Sequence, residues 1–272
     1  MSAAAHQPVA VVPLSVALLA GRTSALGLSV TGLYRDNLLV ASGWAGNDLV
    51  TLCVAGPVLA YLALGGAKPG ARELLQLGLL DYMVYNYAFY LFGAAFNALF
   101  LAYVVLVTLA AVGLIQGLIH LDVADLARRF STRAPARLVG GYLIVVAAGL
   151  LSVYVVQSLA FAASRRLPDV VTATGHPTSV VFALDLTLVV PPALLAGVWI
   201  WKRRPWGYAL AVITSVKSTV YMLALSAATL GAWGAGALSS LSQLFLWGAL
   251  GATSGAVSAA LLGSMARAGP TS

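Results

Sequence analysis

The chain has 272 residues, of which 61% are hydrophobic and only 8% are charged, and its mean hydropathy is +0.94. A soluble domain carries about 25% charged residues, so this composition excludes a soluble globular protein. The net charge of +7 does not indicate a nucleic-acid partner, because the basic residues concentrate in loops on one predicted side of a membrane. Cys53 is the only cysteine, which excludes a disulfide or a cysteine metal cluster within the chain.

Apolar runs of about 20 residues, the length that crosses a hydrocarbon layer of ~30 Å, recur along the chain. They predict an all-α, polytopic membrane helix bundle of about eight transmembrane helices in a single domain. No basic residue precedes the first run and apolar sequence continues beyond Arg22, so we interpret this run as an uncleaved span rather than a signal peptide. In chain order the predicted spans are 9–33, 48–64, 74–96, 99–119, 138–161, 180–201, 206–230 and 238–262.

The loops between these spans differ in charge. With eight spans, ten basic residues fall on one side of the membrane, and three, Arg35, Arg165 and Arg166, fall on the other. Cytoplasmic loops carry the excess of lysine and arginine in membrane proteins. The charge pattern therefore predicts that both termini, with His6 at one and Arg267 at the other, lie in the cytoplasm.

The third span is the most polar one, and the rest of the chain is interpreted around it. An α-helix turns about 100° per residue. Five residues in or next to this span therefore fall within an arc of roughly 80°: Tyr82, Asn86, Tyr90, Gly93 and Asn97. Asp81 and Tyr85 lie on the flank of this arc. Hydrocarbon offers no hydrogen-bond partners to such a stripe, so it is expected to face other helices or water.

Four charged residues lie deep within predicted spans: Arg22, Asp81, Asp185 and Lys217. A charge near the centre of a bilayer costs about 2.5–3.5 kcal/mol on insertion scales, so each of them needs a partner, water or neutralisation. Depth, counted at about 1.5 Å per residue, suggests two ion pairs. We expect Asp81 to pair with Lys217, and Arg22 to pair with Asp185.

Lys217 belongs to a polar face of the seventh span that includes Tyr221. It is open to three interpretations: half of a structural ion pair, a group that binds a solute or carries a proton, and the attachment point of a retinal-type cofactor. No extended match to rhodopsin motifs supports the third, so no cofactor is predicted. Pro191 and Pro192 interrupt the sixth span near Asp185, as expected either of a packing kink or of a broken helix that lines a binding site.

A weak internal repeat relates the two halves. The second span begins with Asp48-Leu-Val-Thr-Leu and contains Pro57, and the sixth contains Asp185-Leu-Thr-Leu-Val followed by Pro191. Each is followed by a basic turn and a span with a deep ionisable residue. The eight spans are thus open to interpretation as two parallel sets of four, an arrangement found in transporters.

Three stretches resemble a family of uncharacterised prokaryotic multi-pass membrane proteins. They are residues 46–52, residues 85–97, and residues 203–208 together with the following Lys217. The resemblance covers the second, third, sixth and seventh spans. It implies a bacterial or archaeal plasma (inner) membrane and brings no activity with it.

The leading functional hypothesis is a small transporter or permease for an ion or small polar solute. The alternative is a non-transporting sensor or assembly module whose buried charges hold helices together. An intramembrane enzyme is the least supported class, because no phosphate loop, nucleophile elbow or metalloprotease motif is present. The expected partners are the lipid bilayer, a small polar solute or ion and a second copy of the chain, and no metal site is predicted. The predicted polar core is Arg22, Asp81, Tyr85, Asn86, Asn97, Asp185, Lys217 and Tyr221.

Overall fold

The computed structural model describes residues 7–132 and 134–265, with side chains from residue 11 onward. The described chain is all-α. Its helices are α1 (Gln7–Ser29), α2 (Leu38–Ala63), α3 (Ala71–Gly93), α4 (Phe100–His120), α5 (Val123–Arg129), α6 (Ala136–Ser164), α7 (Asp169–Thr174), α8 (Val180–Trp201), α9 (Pro205–Gly234) and α10 (Gln243–Gly263). His6 and Arg267 lie outside the described residues. The cytoplasmic location of the two termini therefore stays a prediction.

Seven helices of the described chain are long and apolar enough to cross a membrane: α1, α2, α4, α6, α8, α9 and α10. This confirms the all-α membrane class. The helix α3 has 23 residues and would span about 34 Å, but its tyrosines, Asn86 and Asp81 lower its hydropathy. It is instead enclosed by protein, packing against α2, α4, α8 and α9. An eighth crossing by α3 therefore stays a prediction.

Two helices contain a π-helical turn followed by proline. In α2 the turn is Thr51–Ala55 and Pro57 follows it, and in α8 the turn is Asp185–Val189 and Pro191 follows it. A π-turn shifts the backbone hydrogen bonds from i→i−4 to i→i−5, and it frequently marks a functional site. The two helices that the sequence repeat relates thus share a local irregularity, and the two-by-four organisation itself stays a prediction.

The second span begins ten residues earlier than predicted. Its first helical residue is Leu38, and the Asn37 side chain caps the helix by accepting a hydrogen bond from the Val40 N–H at 3.0 Å. The Gly- and Ser-containing sequence before Asp48 was predicted as a loop because it resembles turn sequence. Its small residues in fact allow close packing, since a Cβ at Gly46 would collide with the backbone of α9 at Ala228. Asp48 therefore lies within a buried helix rather than at its start.

The loops gather at two ends of the bundle. At one end Phe130 pairs with Met265 and stacks on Tyr208, and at the other Asn37 donates to the backbone of α7. Among the described residues, the first end carries Lys68, Arg72, Arg128, Arg129, Arg137, Lys202, Arg203 and Arg204, and the second carries Arg35, Arg165 and Arg166. We call them the basic end and the opposite end. The assignment of the basic end to the cytoplasm remains a prediction from this asymmetry.

Candidate functional site

The buried helix α3 presents polar groups to two different neighbours. Toward α2, the Tyr82 hydroxyl lies 3.0 Å from Thr51 Oγ1, and Tyr90 donates to Asp48 Oδ1 at 2.9 Å. Toward α8 and α9 it presents Asp81 and Tyr85, described below. The expectation that the polar stripe faces protein is confirmed, and the helix connects two separate polar regions.

Asp81 and Lys217 form the ion pair that the depths of the two residues predicted. Lys217 Nζ lies 3.1 Å from Asp81 Oδ1, and the two side chains are 5% and 16% exposed. The ammonium also donates to the carbonyl oxygen of Leu188 at 3.0 Å and lies 5.0 Å from the centre of the Tyr85 ring. Lys217 is thereby held by a carboxylate, a backbone dipole and an aromatic face, each of which stabilises a positive charge.

The prolines of α8 explain why a backbone carbonyl is open to Lys217. The regular donors to Leu188 O at i+3 and i+4 would be the N–H groups of Pro191 and Pro192, and proline has none. A buried carbonyl without a partner is costly, so the lysine of α9 satisfies it. The break in α8 thus creates part of the Lys217 site.

Asp185, the first residue of the π-turn in α8, is only 5% exposed. Its two carboxylate oxygens accept hydrogen bonds from the hydroxyls of Tyr85 and Tyr154, each at 2.6 Å. The predicted pair of Arg22 and Asp185 is wrong: Arg22 lies on the exposed face of α1, and no described side chain bonds to it. The pairing was predicted from depth alone, and depth does not show which face of α1 points into the bundle.

Tyr85 joins these groups into one cluster. Its hydroxyl lies 3.4 Å from that of Tyr221, and the two rings are 4.8 Å apart. We call the set Asp81, Tyr85, Tyr154, Asp185, Lys217 and Tyr221 the central cluster. Tyr154 was missed by sequence reasoning, since a single tyrosine in the apolar helix α6 carries no signal of its partner.

Asn86 and Asn97, also predicted in the polar core, lie outside the central cluster. The Asn86 amide faces α2, with Nδ2 at 3.5 Å from Thr51 Oγ1 and no described partner for Oδ1. Asn97 lies beyond the end of α3, where its Oδ1 accepts from the Leu99 N–H at 2.9 Å. It shapes the turn into α4 and has a structural role there.

A second buried carboxylate region was missed because Asp48 was placed at a helix start. Asp48 is 1% exposed and accepts hydrogen bonds from the hydroxyls of Tyr34 and Tyr90. Burial, together with the Asp48 carboxylate, raises the pKa of the Tyr34 hydroxyl, which lies in the loop after α1. The sequence did carry a signal, because the internal repeat matched Asp48 to Asp185.

The long helices of the bundle bury more acids than bases. Within the described helices, the buried or largely buried acids are Asp48, Asp81 and Asp185, and the buried base is Lys217. An ionised carboxylate in a low-dielectric interior requires a positive partner or neutralisation. The lysine pairs with Asp81, and the other two carboxylates accept hydrogen bonds from tyrosine hydroxyls.

A cavity of about 470 Å³ opens at the opposite end of the bundle, between the last turn of α3 and the first residue of α8. Its wall includes Arg35 and Asp36, and the Asp36 carboxylate lies 3.5 Å from His176 Nε2. Val180 lines the cavity and packs with Tyr85, Ala88 and Leu184 in a small apolar cluster. This apolar layer separates the cavity from Asp185.

Comparison with known proteins gives no name to this arrangement. No family model, no curated protein and no solved structure matches the chain. In the described residues, no group of three or more His, Cys, Asp or Glu side chains is placed to hold a metal ion. What the site offers chemically is hydrogen bonding and charge pairing between buried side chains of the helix bundle.

Proposed function

We propose that the protein is a small transporter of an ion or small polar solute in a prokaryotic plasma membrane, with its basic end in the cytoplasm. One observation carries the proposal: Lys217 is buried near the middle of α9, between Asp81 and the open carbonyl of a broken helix. Intramembrane charges that face the bundle interior typically serve ion or substrate pathways. Broken helices at this depth supply backbone oxygens to such sites in secondary transporters.

The proposed pathway starts at the cavity of the opposite end. A solute that enters this cavity meets the apolar layer around Val180 before it reaches Asp185. The short helical segment Val180–Leu184 carries two residues of that layer and leads directly into the π-turn. Movement of this segment against α3 would open the layer, and the irregular hydrogen bonding of the π-turn supplies a natural hinge.

At the central cluster, Lys217 is the movable charge. In the structure it pairs with Asp81, and its nearest aromatic neighbour, Tyr85, donates to Asp185. A cation or proton that neutralises Asp81 would weaken the ion pair and release the ammonium toward Asp185. The solute and the ammonium would then compete for the same carboxylates, which couples binding to the state of the ion pair.

The test is flux in proteoliposomes. Purified full-length protein would be reconstituted and given gradients of H⁺, Na⁺ and K⁺, read with pH- and potential-sensitive dyes, and then a panel of small labelled amino acids, amines and sugars. Asp185→Asn should abolish the flux found. The matched control is Asp122→Asn, which changes an exposed helix cap of α5 at the basic end and should leave flux unchanged. Equal flux in wild-type protein and Asp185→Asn would refute the proposal.

A second candidate, a non-transporting sensor or assembly module, is favoured by the closed state of the ion pair. Asp81 and Lys217 satisfy each other, and the lining of the opposite-end cavity stops at Val180. On this account the central cluster only fixes helix packing. Protein that is well folded, yet gives no flux of any probe above that of empty liposomes, would support this candidate instead.

A further inference from the structure

Asp48 is surrounded by oxygen atoms, and no basic side chain in the described part of the chain bonds to it. Around it are the hydroxyls of Tyr34 and Tyr90, and one helical turn further along α2 the Thr51 hydroxyl contacts Asn86. Asn86 is 1% exposed, and its Oδ1 has no described partner. Asn86 lies one turn of α3 from Tyr90, which donates to Asp48. A buried acceptor without a described donor, near a buried carboxylate without a described base, is an arrangement that a bound cation would satisfy.

The two π-turns allow the two halves of the chain to be aligned, and the alignment shows that the first half lacks a counterpart of Lys217. The π-turns set a register that differs by three residues from that of the sequence repeat. It aligns Thr51, rather than Asp48, with Asp185, and it also aligns Ala71 with Pro205, the first residues of α3 and α9. In that register the position of Lys217 is occupied by Met83. The second half therefore carries its own ammonium ion, and the first half has carboxylate and amide oxygens but no base.

We propose that Asp48 is the binding site of one monovalent cation, a proton or an alkali ion, which supplies the positive charge that this half of the bundle lacks. The ligands would be the Asp48 carboxylate, Asn86 Oδ1 and the Thr51 hydroxyl, all hard oxygen donors of the kind that alkali and other hard cations prefer. Its role as the coupling ion rests on the proposed transport function. Binding itself does not depend on transport.

The experiment measures thermal unfolding of the full chain in detergent. NaCl replaces choline chloride at constant ionic strength in one series, and pH varies without Na⁺ in the other. A ligand that binds only the folded state raises Tm by about 5 °C at 100 times its Kd. The wild type should show this rise with Na⁺ if the ion is an alkali cation, or with falling pH if it is a proton. Asp48→Asn should lose that response, and Asp122→Asn should keep it.

Tyr90→Phe provides a second test that does not remove the carboxylate. Loss of one hydroxyl donor to Asp48 leaves the carboxylate in greater need of a cation, so the midpoint of the response should move about tenfold to lower cation concentration. The proposal is overturned if the wild type responds to neither cation, if Asp48→Asn responds as the wild type does, or if Tyr90→Phe leaves the midpoint unchanged. Wild-type protein that transports but shows no rise in Tm with either cation would reject the Asp48 site alone. Wild-type protein that shows the rise in Tm but no flux would reject the transport function alone.

Discussion

Replacing only one member of the ion pair between Asp81 and Lys217 should destabilise the protein far more, for each charge lost, than replacing both. At 3.1 Å two unit charges attract by roughly 5 kcal/mol at an effective dielectric constant of about 20. Asp81→Asn or Lys217→Met alone leaves a largely buried charge unpaired, and such changes destabilise by about 3–5 kcal/mol. The double variant leaves neither charge, so its loss should be clearly smaller than the sum of the two single losses.

The assay is a double-mutant cycle of unfolding free energies in one detergent, with unfolding followed by circular dichroism. We expect a coupling of at least about 2 kcal/mol in favour of the double variant, within the range known for interacting residues. The matched comparison pair is Arg128 and Asp125, which lie 3.3 Å apart with the arginine side chain 71% exposed, and should couple by no more than about 0.5 kcal/mol. Additive losses for Asp81 and Lys217 would refute the reasoning that the pair is buried and mutually dependent.

Three further predictions concern packing and the broken helix. Gly46→Ala should destabilise by about 1–3 kcal/mol by forcing α2 from α9, whereas Gly248→Ala, which meets nothing within 4 Å, should be neutral in the same melting experiment. Asp36→Ala should cost about 3 kcal/mol in unfolding free energy, because the buried carboxylate accepts an indole N–H at 2.9 Å and a backbone N–H at 3.1 Å; Asp169→Ala should cost little. Pro192→Ala restores an N–H donor for the Leu188 carbonyl oxygen. It should therefore raise the free energy of unfolding by about 1 kcal/mol and reduce flux. Unchanged flux would contradict the role of the open carbonyl.

Length and hydropathy predicted most of the fold, because a membrane restricts the chain to helices long enough to cross it. The sixth span, residues 180–201, was predicted at the bounds that the structure shows. The second span was not, since Gly46 and its neighbours resemble a loop until the close contact with α9 is known. A sequence does not show which helix will press against a glycine, so Asp48 was placed at a helix start and its burial was missed.

Some contacts of the site residues were predicted from the sequence, and others depend on how the helices are rotated and packed. Asp81 and Lys217 were paired from depth, and the structure confirms the pair, since both face inward from adjacent helices. Arg22 and Asp185 were paired by the same argument and are apart, because depth fixes position along the membrane normal but not rotation about the helix axis. Tyr154 completes the Asp185 site from a helix that shows no polar periodicity, so only the packed bundle reveals it.

Access of water to position 217 tests the central claim most directly. Lys217→Cys would be made together with Asp81→Asn, which leaves no unpaired charge, and with Cys53→Ala, which removes the exposed native thiol. A small charged thiol reagent would be applied in proteoliposomes, with Thr178→Cys at an exposed position of the cavity wall and the fully buried Ala110→Cys as fast and slow references. The account predicts that residue 217 is labelled clearly faster than residue 110, because opening of the apolar layer admits water to the central cluster. Labelling as slow as at residue 110, in a folded protein, would contradict a polar pathway through the central cluster.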